Sequence, residues 1–401
     1  MTDDRRAPRG ARRILDILEP PRRVFTNRNL RMSSIEAIGF DMDHTLAVYN
    51  EEPFARLCFD LAVELLVERK GYPRRILELP YEPANVIRGL VVDKRLGNVL
   101  KVDAYSYVTR VRHGTRFLSR EDRRRAYKRG RISSGRDRYR VFDTLFDLPE
   151  GCLYTALVDL KDADPQLIRP SYRILFNDIR EAVDTIHRDG TLKRRIVADL
   201  DRYFVRDPEL APTLRMFREA GKRLFLLTNS EIDYTAAVMN HLLNGESGGW
   251  EDLFDLVICS SGKPGFFLSR GGGKAVPRDA VAHLANRQGN CYTAGDAFFL
   301  ESKIGAFGDA ILYFGDHTYG DILRSKKSVG WRTAMIIPEV ESEVEVLIDE
   351  RDGFLRLAEV EHDLEYLVNQ RENLRDRGSR GRSRRAELDE AIGVYLAERS
   401  G

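Results

Sequence analysis

The chain has 401 residues, and its 65 Lys and Arg stand against 63 Asp and Glu, so the formal net charge is only +2 although 32% of residues are charged. That length fits two domains or one domain with a large insertion, and the cancelled charge argues against a whole-molecule field aimed at nucleic acid or membrane. The four cysteines, Cys58, Cys152, Cys259 and Cys291, lie far apart without a C-x-x-C pair, which argues against a zinc site or disulfide framework and for a reducing compartment.

The first segment, MTDDRRAPRGARRILDILEPPRR, is basic but holds no apolar stretch of the signal-peptide kind, and Asp3, Asp4, Asp16 and Glu19 run against an organellar transit peptide. No later run approaches the roughly 18 apolar residues of a membrane span, so a soluble cytoplasmic protein with no membrane partner is expected. IEAIGF is the first short apolar run and leads into Asp41. Its lack of clean alternation suits a strand buried on both faces of a parallel sheet. Residues 50–195 are too many for a single crossover helix and predict a domain-sized cap. Phe54, Leu57, Cys58, Leu61, Leu65 and Leu66 are spaced as one helix at its start. REDRRRAYKRGRISSGRDRYR, residues 120–140, reads as a solvated loop, with a polyanion site as the alternative. LIRPSYRILFNDIREAVDTIHRDG repeats the helical period at Leu175, Ile179, Ala182, Val183 and Ile186 and offers Gly190 as a stop.

Further strand-like runs follow: RLFLL before Thr228, LFDLVICSS before Gly262 and Lys263, AILYF before Gly315, and TAMIIP after Trp331. GGGK at residues 271–274 lacks the spacing of a phosphate-binding P-loop and reads as a plain loop. After Glu339 the chain is expected to be charged and helical, with NLRDRGSRGRSRRAELDE as a flexible stretch. The expected fold is α/β, a parallel-sheet core with helices on both faces and a large inserted α+β cap. Residues 1–49 and 196–345 would form the core, 50–195 the cap, and 346–401 a helical extension.

In open parallel sheets, sites form at the carboxyl ends of the strands, where these runs place their polar residues. Asp41 and Asp43 stand two residues apart just beyond a buried strand. An ionised Asp can attack phosphorus to give an acyl phosphate, while a second can protonate the departing oxygen and then deprotonate water. Such crowded carboxylates need a cation, and an oxygen-only ligand set favours magnesium over zinc. Asp316 and Asp321, at another strand end, can complete the metal site. Thr228, Asn229 and Ser230 precede a predicted helix; they fit either a phosphate cradle or an ordinary helix start, with Ser230 and Asp233 as a capping box. Lys263 can neutralise charge on a transferring phosphoryl group or stand exposed on its loop.

Taken in order, these elements resemble the four motifs of the haloacid dehalogenase superfamily: Asp-x-Asp, a strand-end Thr, a Lys and an acidic pair. That resemblance implies a haloacid dehalogenase-like, Rossmann-type core. It also implies that Asp41 is the nucleophile, Asp43 the acid and base, and Lys263 a catalytic and phosphate-binding residue beside Thr228. Magnesium would be held by Asp41, the Asp43 carbonyl and Asp316, with Asp321 in support. Longer segments, among them VFTNRNLRM, GFDMDHTLAVYN, RGLVVDKRLGNVLKVDAY, TLFDLPE, LTNSEIDYT and GDHTYGDILRSKKSVGWRTAMIIPE, look like the cytosolic purine 5′-nucleotidases that prefer IMP and GMP. This resemblance implies hydrolysis of purine nucleoside monophosphates, phosphate transfer to nucleosides from the same intermediate, and assembly as a dimer or tetramer. It assigns nucleoside contacts to Phe146, Arg180, Asp184, His187 and Lys193. By spacing alone, Arg180, Asp184 and His187 share a helix face that reads rather as a solvated one with a surface salt bridge, and Phe146 reads rather as core.

The chain departs from that family at several positions. His44 replaces a Tyr and brings a group that could change the pH dependence. Asp143 and Asp147 replace Asn near a nucleotide effector site, although Tyr319 and Lys327 match effector contacts there. A long acidic tail has no counterpart after the Arg-rich segment. The rival readings are a phosphatase for another phosphomonoester, a catalytically silent scaffold, and a nucleic-acid binder using residues 120–140 and the Arg-rich tail.

Overall fold

The computed structural model describes residues 24–26, 29–128, 131–132, 137–243, 249–278, 280–374 and 378–400. The chain divides into two compact units, one of Arg31–Ile336 and the other of Ile337–Gly401 with the segment up to Leu30. In the larger unit the strands are, in chain order, β1 (Ala37–Phe40), β2 (Val48–Tyr49), β3 (Val91–Asp93), β4 (Asn98–Val102), β5 (Val108–His113), β6 (Arg116–Phe117) and β7 (Tyr139–Val141). They continue with β8 (Phe204–Val205), β9 (Arg223–Leu227), β10 (Leu256–Cys259), β11 (Lys274–Ala275), β12 (Cys291–Thr293), β13 (Ile311–Gly315) and β14 (Arg332–Met335).

Seven strands form one sheet in the order β11-β12-β10-β9-β1-β13-β14. All neighbours are parallel except β11, which runs antiparallel to β12. β1 lies between β9 and β13 and is buried along its whole length, as is β10, which explains why their sequences are unbroken apolar runs. β14, at the sheet edge, is only partly covered. On β1, a methyl group added at Gly39 would fall 2.0 Å from the Phe225 ring, so any side chain here would force that ring to move.

The chain leaves this sheet through β2 and returns through β8, and those two strands pair antiparallel, Tyr49 opposite Phe204. Between them lies the cap. Its helices Glu51–Lys70, Leu148–Ala163 and Tyr172–Arg188 bury Phe59, Leu66, Leu153, Leu157, Leu175 and Ile179 in one apolar cluster. Tyr172–Arg188 buries every position that its period marks; Ser171 caps its start, and Gly190, at φ +74°, follows its end. Glu51–Lys70 buries Phe54, Cys58, Leu61 and Leu66 but also Ala62 and Val63, because it is covered on two sides. An antiparallel sheet, β6-β5-β4-β3-β7, completes the α+β cap.

Two local expectations are corrected. Residues Arg120–Ala126 are helical rather than a loop, with the Ser119 hydroxyl accepting the Asp122 N–H; residues 129–130 and 133–136 of that basic stretch lie outside the described residues. In the second unit the helices Pro338–Asp349, Arg351–Asn373 and Gly378–Ser400 occupy most of the tail. The stretch expected to be flexible is therefore helical from Gly378 onward, while residues 375–377 lie outside the described residues, as does the N-terminal segment 1–23. All four cysteines are buried free thiols, and no helix among the described residues is long and apolar enough to cross a membrane.

Candidate active site

β1, β9 and β13 are adjacent and parallel, so the residues that follow them converge at one end of the sheet. Asp41 is buried directly after β1, with its backbone N–H bonded to the Phe314 carbonyl. Lys263, from the loop after β10, reaches under it: its Nζ lies 2.9 Å from an Asp41 carboxylate oxygen and 2.7 Å from Asp321 Oδ1. The same ammonium donates to the Leu227 carbonyl at 3.0 Å and to the Tyr313 hydroxyl at 2.8 Å. Asp41 and Asp321 keep Lys263 charged against the cost of burying it. Gly315 permits this packing, since a Cβ there would sit 2.6 Å from the Asp321 side chain.

Asp41, Asp316 and Asp321 form a buried cluster whose oxygens can all lie within 4.8 Å of one another. Burial pushes the Asp41 carboxyl well above its ordinary value, and the nearby Asp321, Asp43 and Asp316 add to the shift. Burial, then Asp321, raises Asp316 to about 7. Lys263 opposes both shifts without cancelling either. An all-oxygen cluster with more negative than positive charge fits a hard divalent cation such as magnesium, which would restore both groups to carboxylates.

Asp43 is only partly buried and lies beside that cluster, close enough for its charge to raise Asp41 and Asp316. Its Oδ1 accepts from the Tyr49 hydroxyl and its Oδ2 from Ser230 Oγ, each at 2.7 Å. Ser230 therefore does not form the expected capping box; the N-cap of the following helix, Ile232–Leu242, is Glu231, which makes no side-chain cap. Thr228 is fully buried and its Oγ1 accepts the Ser230 N–H at 3.1 Å. Asn229 braces the Lys263 loop: its Oδ1 accepts from Lys263 N at 2.7 Å and from Ser261 Oγ at 2.8 Å. His44, at φ +52°, is buried, and burial with the nearby Arg88 charge pushes it down to about 3. At that value its ring is neutral near pH 7.

From Asp43 a cleft of about 500 Å³ runs under the cap, a volume suited to a small molecule. Its walls include Phe146, Arg180, Asp184, His187 and Lys193 from the cap and Asn229 and Ser230 from the core. Phe146 packs edge-on against His44 and His187, at ring separations of 4.7 and 5.8 Å, and keeps part of its surface open to the cleft. Arg180 binds Asp147 at 2.9 Å, Glu150 at 2.8 Å and Asp184 at 3.0 Å, so it is held as a fixed donor. Burial raises Glu150 to about 7 despite this pairing. His187 is lowered to about 4, first by burial and then by Lys193 and Arg180, and presents a neutral ring. Lys193 is paired with Glu231 and lies 5.1 Å from the Tyr234 ring centre.

Sequence reasoning missed Tyr49, Tyr234, Arg140 and His317, which also line the cleft. It also missed Arg88, a cap residue whose guanidinium donates to the Asp316 carbonyl at 3.0 Å. Arg140 ends a basic run that reads as solvated, and no spacing rule links Arg88 to a residue so distant in sequence.

A sequence model of the 5′ nucleotidase family matches residues 24–397. The chain belongs to the 5′ nucleotidase family. It is 32% identical over 346 residues to a 5′-nucleotidase domain-containing protein of Dictyostelium discoideum, across 81% of this chain and 56% of that protein. It is 29% identical over 377 residues to the human 5′-nucleotidase domain-containing protein 2, across 86% of this chain and 70% of that one. The chain thus spans little more than half the length of the first of these relatives. A solved structure of a predicted phosphoglycolate phosphatase from Haemophilus somnus aligns with 76% of this chain and 86% of its own, at 14% identity and a TM-score of 0.34. That likeness is too loose to carry an argument, and the fold is read from the sheet itself.

Proposed function

We propose that the chain is a nucleotide phosphatase that removes the 5′-phosphate from purine nucleoside monophosphates, with IMP, GMP and their deoxy forms preferred. The observation that carries this reading is a single cleft that joins Asp43, beside the buried carboxylates, to the cap face of Phe146, Arg180, Asp184, His187 and Lys193. The phosphate would lie at the carboxylate end and the base against Phe146. A neutral imidazole, a carboxylate and fixed cations then offer donors and acceptors to the edge of an oxo-purine.

In the first half-reaction, an Asp41 oxygen attacks phosphorus, the bond from phosphorus to the ester oxygen breaks, and Asp43 gives that oxygen its proton. The nucleoside leaves neutral and an aspartyl phosphate remains. In the second, water attacks the same phosphorus and loses a proton to Asp43, and the bond to Asp41 breaks to release inorganic phosphate. A nucleoside hydroxyl in place of water would transfer the phosphate instead. Lys263 balances charge on Asp41 throughout, and Asn229 holds the Lys263 loop in place. Asp41 and Asp316, with Asp321 beside them and the Asp43 carbonyl, would hold magnesium, whose chemistry is to offset negative charge on the phosphoryl oxygens.

The test is magnesium-dependent phosphate release from IMP, GMP, AMP, CMP, UMP, sugar phosphates and an aryl phosphate. Purine preference is expected, with turnover abolished by Asp41→Asn, which changes charge and nucleophilicity but hardly volume. Full activity in that variant would defeat the mechanism; activity on the aryl ester without purine preference would discard only the substrate.

A further inference from the structure

Tyr49 and Tyr234 have no part in the chemistry above, yet both are buried and both line the cleft. Tyr49 is the last residue of β2, where the chain passes from core to cap, and it is pinned there by pairing with Phe204 on β8. Its ring is wedged among His44, Phe54 and Phe204, at ring separations of 4.7, 4.5 and 4.5 Å. Its hydroxyl lies 2.7 Å from Asp43 Oδ1 and 2.9 Å from the Tyr234 hydroxyl.

A phenol carries one proton. Because the Tyr49 hydroxyl donates its one hydrogen bond to the carboxylate, Tyr234 must be the donor in the bond between the two tyrosines. The hydrogen bonds therefore run in one direction, from Tyr234 to Tyr49 to Asp43. Burial, followed by the charge of Asp43, pushes both phenols well above their ordinary value, so both stay protonated. On the other side of the carboxylate, Ser230 Oγ occupies Oδ2. The last torsion of an Asp is soft and broad, and a free carboxyl would swing. Two donors, one on each oxygen, fix its plane.

We infer that Tyr49, backed by Tyr234 and working opposite Ser230, is a positioning residue that holds the Asp43 carboxyl in the orientation needed for proton transfer, and that it does so from the strand pair connecting cap to core. This rests on the assignment of Asp43 as acid and base. Proton donation matters for a nucleoside 5′-oxygen, a poor leaving group, and little for nitrophenolate, which departs unprotonated. The constant kcat/KM reports only the steps up to departure of the leaving group, so the two substrates separate positioning of the acid from damage to the fold.

The experiment measures kcat/KM of wild type, Tyr49→Phe, Ser230→Ala and Asp43→Asn on IMP, a simple alkyl phosphate and p-nitrophenyl phosphate, with melting temperatures alongside. Tyr49→Phe is expected to lose about 100-fold on the alkyl esters, with a far smaller loss on the aryl ester and a KM for IMP near that of wild type. Ser230→Ala should show the same bias. Equal losses on all esters, or none on any, would overturn the inference. A wild type active on the simple alkyl phosphate but not on IMP would discard the nucleotide reading alone, because the leaving-group comparison still runs. An Asp43→Asn variant without the bias would remove the acid assignment and the role of Tyr49 together.

Discussion

Asp184 and His187 stand three residues apart on one helix, and their surroundings give them different states. Asp184 is tied to Arg180 at its half-exposed end, whereas His187 is held neutral by burial and by two cations. Asp184→Ala should raise KM for IMP by about tenfold, in line with a lost hydrogen bond to a charged group, and should penalise an aryl phosphate much less; equal penalties in the two kinetic assays would remove Asp184 from the base pocket. For His187, the folded value of about 4 lies below the ordinary 6.5. Between those values the unfolded chain binds a proton that the folded one refuses, so stability is fully present above pH 6.5 and is lost as pH falls toward 4. His187→Gln should therefore flatten the fall in melting temperature across that window, and an unchanged slope would refute the buried neutral state. Asp41, Asp43, Lys263 and Asp316 were legible because each directly follows, or lies a few residues beyond, an apolar run. Tyr49 and Arg88 were not, because each acts on a residue through a contact that no local pattern announces.

At the level of elements, the central strands explain why the residues that follow β1, β9 and β13 meet. β1 is flanked by β9 and β13, and the close approach of Gly39 to Phe225 sets the packing of β1 against β9. Gly39→Ala should destabilise the protein by about 1–3 kcal/mol, the usual cost of overpacking a core, read from chemical denaturation; a loss below about 0.5 kcal/mol would mean that the ring swings aside freely. Helical period is plain in Tyr172–Arg188, whose one apolar stripe packs into the cap cluster from Leu175 to Val183 and reaches the core cluster at Ile186. It was less informative in Glu51–Lys70, which is covered on two sides. Three of the five cap strands leave no mark in the sequence, since β3, β6 and β7 have only two or three residues, too few to show a period. Residues 120–126 escaped for another reason: a helix so rich in charge has no apolar stripe, and its cap, Ser119, is the main signal that it begins there.

For the whole molecule, the cluster of Asp41, Asp316 and Asp321 places repulsion in the centre of the folded state. A cation that binds only the folded form relieves it, and at about one hundred times its dissociation constant contributes about 2.7 kcal/mol. Magnesium should thus raise the melting temperature over that in EDTA, and Asp316→Asn should shrink the increment; no shift in wild type at millimolar magnesium would count against the site. By itself the sequence determined the α/β class and the acidic strand ends, because burial on both faces of a parallel sheet leaves unbroken apolar runs that end in polar residues. The tertiary structure alone decided which polar groups share a hydrogen bond. It assigned Ser230 to Asp43 rather than to a helix cap, closed the neck between β2 and β8 over Tyr49, and brought Arg88 to Asp316. Such pairings depend on how separate elements pack, and hydrogen bonding between residues tens to hundreds of positions apart leaves no period in the chain.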